Sequence, residues 1–362
     1  MPLFYHFEEI MKKIIDGILI AALACCLLGF ASCSKAGDGR SNVLYLFTWT
    51  YYVPEAALRQ FESEYGCTVK VDTYDSNEVM YAKLRAGASG YDIAFPSQDY
   101  ASIMLKQGML KEIDLNRFEN KKYINPLVLK KAVYDPTMKF CVPYYMGAAG
   151  IAVNKLHFSN YERSWSIFSD ARIRGHASMM DDMREVIGDA LAYRGYSVNS
   201  TSDAELKSAA NLIINDWKPN LVKFDAEGFG KSFAAGDFWV CQGYAEVVYG
   251  EVPADKQAET IDFFIPKEGG PMYIDSMVIL KGAKHYDLAM RFIDFMHRPE
   301  IYAQFLDRFR FPPSVNTEAA KYMTTTPMYT TEETAHCELK LDIGENLEKY
   351  DELWQKIRFS AK

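Results

Sequence analysis

The sequence predicts an α/β protein of two lobes, each built around an open, mainly parallel sheet. Continuous apolar runs that suit buried strands alternate with amphipathic helical segments, the pattern typical of parallel-sheet proteins. The 362 residues also exceed what one hydrophobic core normally organises. A stretch of small residues at Met146–Gly150 separates the first alternation from a second one. We therefore expect two lobes joined by a hinge.

The first alternation has the order strand, helix, strand, helix, strand. Its elements are a strand over Val43–Phe47, a helix opened by Pro54 and ended by Gly66, a strand over Thr68–Tyr74, a helix capped by Asp75 or Ser76, and a strand over Asp92–Phe95. Right-handed crossovers make such strands parallel. Because ligands of open sheets bind beyond the carboxyl ends of the strands, Thr48–Tyr52 and Pro96–Asp99 are candidate binding segments.

The second alternation continues to the C-terminal helices. We predict strands over Ile151–Val153, Ala177–Met180, Leu221–Phe224, Phe238–Cys241 and Ile261–Ile265, with a helix over Met183–Arg194. After the turn at Gly269–Gly270, the run Tyr273–Leu280 is expected to return to the first sheet. Helices follow around Leu288–His297 and Glu300–Phe309, and their Met and Phe side chains indicate core packing.

The N-terminus has the features of a secretory signal. Two lysines precede the apolar run Gly17–Phe30, which is too short to span a bilayer comfortably. The run ends in small residues before Cys33, which resembles a bacterial lipobox, where the cysteine is acylated and becomes the mature N-terminus. Two upstream cysteines are alternative lipidation sites. A plain secretory signal without lipidation is the simpler interpretation. We expect residues 1–33 to be the signal, lipidation at Cys33, and a polar tether over residues 34–40.

Charge and motif content narrow the function. The net charge of -8 argues against nucleic acid as a partner, and an acidic surface can attract a cationic one. The sequence has no phosphate-binding glycine loop, no H-E-x-x-H and no G-x-S-x-G motif, and its six histidines are scattered. We therefore expect no metal and no cofactor. A secreted two-lobed α/β protein without catalytic motifs is typical of the solute-binding component of a transporter.

The cysteines indicate neither a metal site nor a disulfide scaffold. Beyond the predicted signal lie Cys67, Cys141, Cys241 and Cys337, whose spacing matches no metal-binding pattern. Seven cysteines in 362 residues are too few for a disulfide scaffold. We expect buried free thiols.

A series of short segments carries a family resemblance. They are Leu46–Pro54, Tyr74–Glu78, Met80–Leu84, Tyr91–Asp92, Pro96–Ser97, Asp181–Glu185, Pro266–Gly270, Asp275–Ser276 and Phe311–Pro313. In this order they resemble bacterial polyamine-binding proteins, the spermidine/putrescine receptors of ABC importers. The similarity extends from Asn42 to Asn316.

The resemblance implies a type II periplasmic-binding-protein fold. We expect one lobe over residues 41–146 plus 274–320, the other over 147–273 plus 321–362, and hinges near Met146, Tyr273 and Ala320. The resemblance further implies capture of spermidine or putrescine in the cleft and delivery to an ABC importer permease, without chemistry on the ligand. The protein is expected to be a periplasmic monomer, anchored to a membrane through its lipid.

A polyamine pocket needs two kinds of side chain. Carboxylates meet the ammonium groups, and aromatic faces meet the methylene spacers between them. The resemblance implies that these are Trp49 and Tyr52 as one wall, Thr50 and Ser97 as polar contacts, Asp182 and Glu185 at the ammonium ends, Tyr273 and Asp275 as an aromatic residue and an amine-binding aspartate, and Phe311 in place of a pocket tyrosine.

Three further positions depart from the family pattern. Asp99 stands where spermidine-preferring relatives carry tyrosine, which adds a carboxylate to the rim. At the place of a pocket tryptophan, Gln242 aligns most directly and Tyr244 with a shift, with Glu246 nearby as an extra acid. Lys340 stands near a family glutamine and would repel an ammonium if it pointed inward. The length of the ligand therefore stays open.

Other interpretations remain at this point. Asp182 and Glu185 also have the spacing of a capping box, in which both side chains serve the helix start. A thiaminase-like enzyme on the same scaffold would use Cys141 as its nucleophile. A receptor for ferric iron would use adjacent tyrosines, either Tyr51–Tyr52 or Tyr144–Tyr145.

Overall fold

The computed structural model describes residues 42–50 and 52–360. The signal segment with Cys33, the tether and Tyr51 lie outside the described residues. The strands are β1 (Val43–Trp49), β2 (Thr68–Tyr74), β3 (Ile93–Ala94), β4 (Cys141–Ala148), β5 (Gly150–Asn154), β6 (Ala177–Met179), β7 (Leu221–Phe224), β8 (Val240–Gly243), β9 (Ile261–Phe264), β10 (Pro271–Ile279) and β11 (Glu338–Leu339). The α-helices span Glu55–Tyr65, Asn77–Arg85, Gln98–Lys106, Pro126–Lys131, Met183–Tyr193, Asp203–Leu212, Phe229–Ala234, Ala245–Glu251, Ala254–Thr260, Tyr286–Met296, Pro299–Phe309 and Leu347–Phe359.

The first sheet has the order β11-β10-β3-β1-β2, and β4 pairs with β10. β1 runs parallel to β2 and β3, as the predicted strand–helix order requires. The crossover helices have the expected ends, because Gly66 takes the left-handed conformation (φ 60°) and Ser76 Oγ accepts from Val79 N at 3.2 Å. β10 then enters antiparallel to β3 and β4, which confirms that this late strand returns to the first sheet.

The second sheet has the order β7-β6-β8-β5-β9. β6 is parallel to β7 and β8, whereas β5 is antiparallel to β8 and β9. Both sheets therefore have a parallel part extended by antiparallel strands. The predicted strand at Phe238 begins only at Val240, because the amides of Trp239 and Val240 both donate to the carbonyl of His176.

Among the residues that the structure describes, β4 is the one long strand that the sequence pattern did not predict. All eight of its residues are buried, so they show no alternation of polar and apolar side chains. It also contains Pro143 and Gly147, which usually argue against a central strand. The pairing with β10 shifts register between Asp275, opposite Tyr145, and Ser276, opposite Pro143, so Tyr144 is the extra residue of a bulge next to Pro143.

The chain passes from the first sheet to the second where β4 leads into β5, and two glycines occupy the crowded positions there. A Cβ on Gly147 would lie 2.7 Å from the Tyr145 ring and 2.9 Å from the Tyr273 hydroxyl. A Cβ on Gly150 would lie 2.5 Å from the Phe264 carbonyl oxygen. The predicted break of small residues is thus a place of close backbone approach.

Three apolar clusters form the core. The largest covers one face of the first sheet, includes the helices Tyr286–Met296 and Pro299–Phe309, and reaches Phe229 and Phe263 beside the second sheet. A second cluster around Trp165 and Trp217 packs on the second sheet. The third covers the other face of the first sheet. Within the described ranges, none of the helices combines the length and apolar character that crossing a membrane requires.

Candidate ligand-binding site

Asp275 is the centre of the candidate site. It lies on β10, and only 4% of its surface is exposed. The hydroxyl of Tyr52 donates to its Oδ2 at 2.6 Å, and Ser97 Oγ donates to its Oδ1 at 2.6 Å. Each carboxylate oxygen therefore has one short hydrogen bond from a residue that the sequence had also placed in the site.

The sheet topology explains why these three residues meet. Tyr52 follows the carboxyl end of β1, and Ser97 follows the carboxyl end of β3, so both lie where an open sheet binds ligands. β10 runs antiparallel to β3, and its Asp275 makes a bridge with Ser97. Asn77 holds Ser97 in place, because its Nδ2 donates to Ser97 Oγ and its Oδ1 accepts from Ser97 N, both at 3.1 Å.

The charge on Asp275 is poorly compensated. Burial raises the pKa of this carboxyl to about 6, although the hydrogen bonds from Ser97 and Tyr52 favour its charged form. Burial also raises the pKa of Glu246 to about 7, and the charge of Asp275 adds to that shift. A bound cation would add to the partial compensation that the charge of Lys340 gives Asp275.

Aromatic rings surround the same region. Tyr273, two residues before Asp275, meets Tyr244 edge to face with ring centroids 5.7 Å apart. Tyr52 packs against Tyr144 at 5.4 Å. Trp49 is half-buried, and its indole nitrogen donates to the Phe95 carbonyl at 2.9 Å. Such faces suit the methylene spacers and ammonium groups of an aliphatic cation.

A second group of charges lies at the start of helix Met183–Tyr193. Glu185 is fully buried, and its Oε1 accepts from Lys340 Nζ and from the Tyr244 hydroxyl, the latter at 3.4 Å. Asp182 caps the helix by accepting from the amides of Arg184 at 2.8 Å and Glu185 at 3.1 Å. The capping interpretation thus holds for Asp182, whereas the described contacts of the Glu185 carboxylate are with Lys340 and Tyr244.

The remaining predicted residues differ in position. Asp99 is half-buried in helix Gln98–Lys106, and burial raises its pKa, against the opposing charge of Lys340. Thr50 is exposed. Gln242 is buried and its Oε1 accepts from Met180 N at 2.7 Å, so Tyr244 is the residue that presents an aromatic ring at this position.

Phe311 lies within the aromatic core. Its ring stacks on Tyr145 with centroids 4.0 Å apart and an interplanar angle of 15°, and 2% of its surface is exposed. The hydroxyl of Tyr145 is hydrogen-bonded to that of Tyr329 at 2.8 Å. Phe311 therefore supports the tyrosines around the site through packing.

Two further buried residues lie next to the candidate site residues, and sequence reasoning missed both. Gln98 joins two elements, because its Oε1 accepts from Ile274 N at 2.9 Å and its Nε2 donates to Lys340 O at 2.7 Å. Asp189 is fully buried, and neither carboxylate oxygen has a hydrogen-bond partner among the described residues. Burial, with the charge of Glu185, raises its pKa well above the usual value. The one available signal was its spacing of four from Glu185, which puts both on one helix face.

The alternative chemistries lack suitable groups. Cys141 is 1% exposed, and burial raises the pKa of its thiol, whereas a nucleophile needs an accessible thiolate. Tyr144 and Tyr145 are buried in the core, and Tyr51 lies outside the described residues. His, Cys, Asp and Glu form no cluster of three or more that could hold a metal ion in the described part of the chain.

The structure has two sheets, and β10 returns late in the chain to the first of them. With the buried carboxylate of Asp275 and the aromatic rings around it, this architecture is that of a two-lobed solute-binding protein. The chain belongs to the family of bacterial extracellular solute-binding proteins, which it matches over residues 56–335. It is therefore a binding protein of the periplasmic-binding class and not an enzyme.

Among its relatives, a putrescine/cadaverine-binding protein of Pseudomonas aeruginosa is 35% identical over 296 residues, covering 79% of this chain and 80% of the relative. The spermidine/putrescine-binding periplasmic protein of Escherichia coli is 33% identical over 334 residues, covering 90% and 94%. The crystal structure of the TpPotD lipoprotein of Treponema pallidum is 49% identical with a TM-score of 0.85, covering 88% of this chain and 100% of that one.

Proposed function

We propose that this protein captures a polyamine, putrescine or spermidine, between its lobes and delivers it to the permease of an ABC importer. The relatives named above support this proposal, because their names specify putrescine, cadaverine or spermidine as ligands. The observation that carries it is Asp275, a buried carboxylate held by Tyr52 and Ser97 and surrounded by tyrosine rings.

The physical argument concerns compensation of charge. An anionic ligand would be repelled by Asp275 and the nearby Glu246, and a neutral one would leave their charges buried and unpaired. An alkylammonium group pairs with the carboxylate, and its methylene chain can lie on the faces of Tyr244 and Tyr273. A diamine or triamine satisfies both requirements.

Capture is proposed to work by lobe closure. Contacts from both lobes stabilise the closed form only when ligand is present, so ligand shifts the population towards it. The lobes are proposed as residues 41–146 plus 274–320 and residues 147–273 plus 321–362. The closed form would then dock on the permease.

The proposed location is the periplasm, with the monomeric protein tethered to a membrane by lipid on Cys33 and by residues 34–40. The lipobox-like sequence before Cys33 supports the anchor. So does the description of the 49% identical Treponema pallidum protein as a lipoprotein.

Isothermal titration of ligand-stripped protein lacking residues 1–33 tests the function. We expect one-to-one binding of putrescine or spermidine and at least tenfold weaker binding by Asp275→Asn, because the amide cannot pair with an ammonium. Asp255→Asn is the matched control, because this substitution removes the same charge from an exposed residue on helix Ala254–Thr260. Thiamine is titrated in parallel. Absence of heat with both polyamines, or equal effects of the two substitutions, would reject the proposal.

A further inference from the structure

Lys340 occupies a fixed position at the edge of the site. It directly follows β11, and its amide donates to the Met272 carbonyl at 3.0 Å. Its own carbonyl accepts from Gln98 Nε2 at 2.7 Å. The side chain is 13% exposed and its Nζ forms an ion pair with Glu185 Oε1. Because the backbone is hydrogen-bonded on both sides, this ammonium is positioned by the fold.

The ammonium of Lys340 is charged. Burial favours the neutral amine, but nearby carboxylates, first those of Glu185 and Asp182, outweigh it and hold the pKa of Lys340 above its usual value. Glu185 in turn depends on this partner, because its Oε2 is buried and has no hydrogen-bond partner among the described residues. Removal of Lys340 would leave a buried carboxylate with no paired cation, which is strongly unfavourable.

An alkylammonium on a lysine is the same chemical group as the end of a polyamine. It is also attached to the protein, so its effective concentration at Glu185 far exceeds that of a free ligand. A ligand ammonium could reach the same carboxylate only by displacing Lys340 or by lying beside a like charge, and both are unfavourable.

We propose that Lys340 permanently fills the ammonium subsite at Glu185, so that the pocket selects a diamine over a triamine. This inference rests on the proposed function. The carboxylates that interact electrostatically with Asp275 are Asp99 and Glu246, and they remain for the ligand. Together with Asp275 they form one interacting group, which suffices for the short putrescine, whereas the longer spermidine would extend an ammonium to Glu185, where Lys340 already lies.

The test compares the two ligands on four proteins. Wild-type protein, Lys340→Gln, Lys340→Arg and Lys349→Gln are titrated with putrescine and with spermidine. In the wild type we expect a Kd for spermidine at least tenfold above that for putrescine. Lys340→Gln should lower this ratio at least tenfold, because it frees Glu185 for the third ammonium. Lys340→Arg, which keeps the charge, and Lys349→Gln, which removes an exposed lysine, should retain the wild-type ratio.

The outcomes separate the two proposals. If both polyamines bind but Lys340→Gln leaves the ratio unchanged, or if the wild type prefers spermidine, the role of Lys340 is refuted while the function stands. If no polyamine binds to any of the proteins, the proposed function itself fails. Circular dichroism checks folding, and the double variant Glu185→Gln/Lys340→Gln replaces Lys340→Gln if the single change unfolds the protein. The double variant also removes the occupying ammonium but offers no carboxylate, so it should bind spermidine at least tenfold more weakly than putrescine.

Discussion

Asp275 shows how a residue proposed to bind ligand can weaken the free protein. Its carboxylate is surrounded by protein and accepts from Tyr52 and Ser97, yet its pKa stays near 6 because burial outweighs these bonds. The folded, ligand-free protein therefore holds a proton more tightly than the unfolded chain does. The contribution of this carboxyl to stability is therefore largest where it is protonated and is lost as pH rises through its pKa.

This predicts a pH-dependent effect of Asp275→Asn on ligand-free protein. As pH rises from 3.8 through about 6, ionisation should cost the wild type on the order of 3 kcal/mol of unfolding free energy. The amide avoids that loss and can still hydrogen-bond with both hydroxyls. Urea unfolding should show the variant more stable than wild type at pH 8, with no such gain at pH 4. An equal difference at both pH values would contradict the assignment.

The same carboxyls predict weaker binding in acid. Protons compete with the ligand for Asp275 and Glu246, whose pKa values are about 6 and about 7, whereas alkylammonium groups stay charged over this range. Asp99 and Lys340 also act on Asp275, with opposite signs. We expect the affinity for putrescine to fall at least tenfold between pH 8 and pH 5 in calorimetric titrations. Glu246→Gln should move the decline to lower pH, and a constant affinity would refute this account.

At the scale of elements, β10 organises the site. It pairs with β3, β4 and β11, so its residues face segments that lie far apart in the chain. Tyr273 and Asp275 lie on this strand, and Tyr273 pairs with Gly147 of β4. The close approach at Gly147 thus fixes where the Tyr273 ring lies.

Gly147→Ala should consequently affect both stability and binding. The added Cβ would lie 2.7 Å from the Tyr145 ring and 2.9 Å from the Tyr273 hydroxyl, so these rings must move. We expect a loss of about 1–3 kcal/mol in unfolding free energy and weaker polyamine binding. Gly282→Ala is the matched control, because no atom lies within 4 Å of a Cβ built there. Thermal unfolding and titration of both variants check this, and equal behaviour would count against the role of Gly147.

Sequence patterns predicted the elements with clear local signals. The apolar residues of β10 predicted a strand, and Ser76 and Gly66 predicted helix ends, because each of these signals lies within a few neighbouring residues. β4 was missed because burial on both faces removes alternation, and because Pro143 argues against a central strand, whereas in the fold it lies next to a bulge in the pairing with β10. Such a tertiary cause leaves no trace in the strand itself.

The candidate site likewise contains residues that the sequence could predict and contacts that only the fold determines. Tyr52, Ser97 and Asp275 could be proposed from family motifs and from the rule that ligands bind at strand ends. The ion pair between Lys340 and Glu185 could not, because 155 positions separate the two residues and nothing local indicates where a lysine side chain points. Whether a charge is exposed or paired is decided by the fold.

At the scale of the whole molecule, the two sheets are held together by chain that passes between them. β4 leads into β5 across Ala149, and β9 is followed by β10, so both passages lie beside the strand that carries Asp275. A relative movement of the sheets would therefore act directly on Tyr273 and Asp275. In the proposed lobe closure, this arrangement would couple ligand binding to the relative position of the sheets.

The position of Lys340 in the chain has a consequence for how such receptors diverge. The residue lies beyond residue 335, where the match to the family ends, on a short segment that contributes only β11 to the sheets. Under the proposed role of Lys340, a substitution at this one position would change which polyamine is preferred and leave the strands and helices that build the fold unaltered. Two relatives alike throughout the matched region would then differ in the polyamine they prefer, and exchange of the short segment around Lys340 alone would be a route to receptors of altered selectivity.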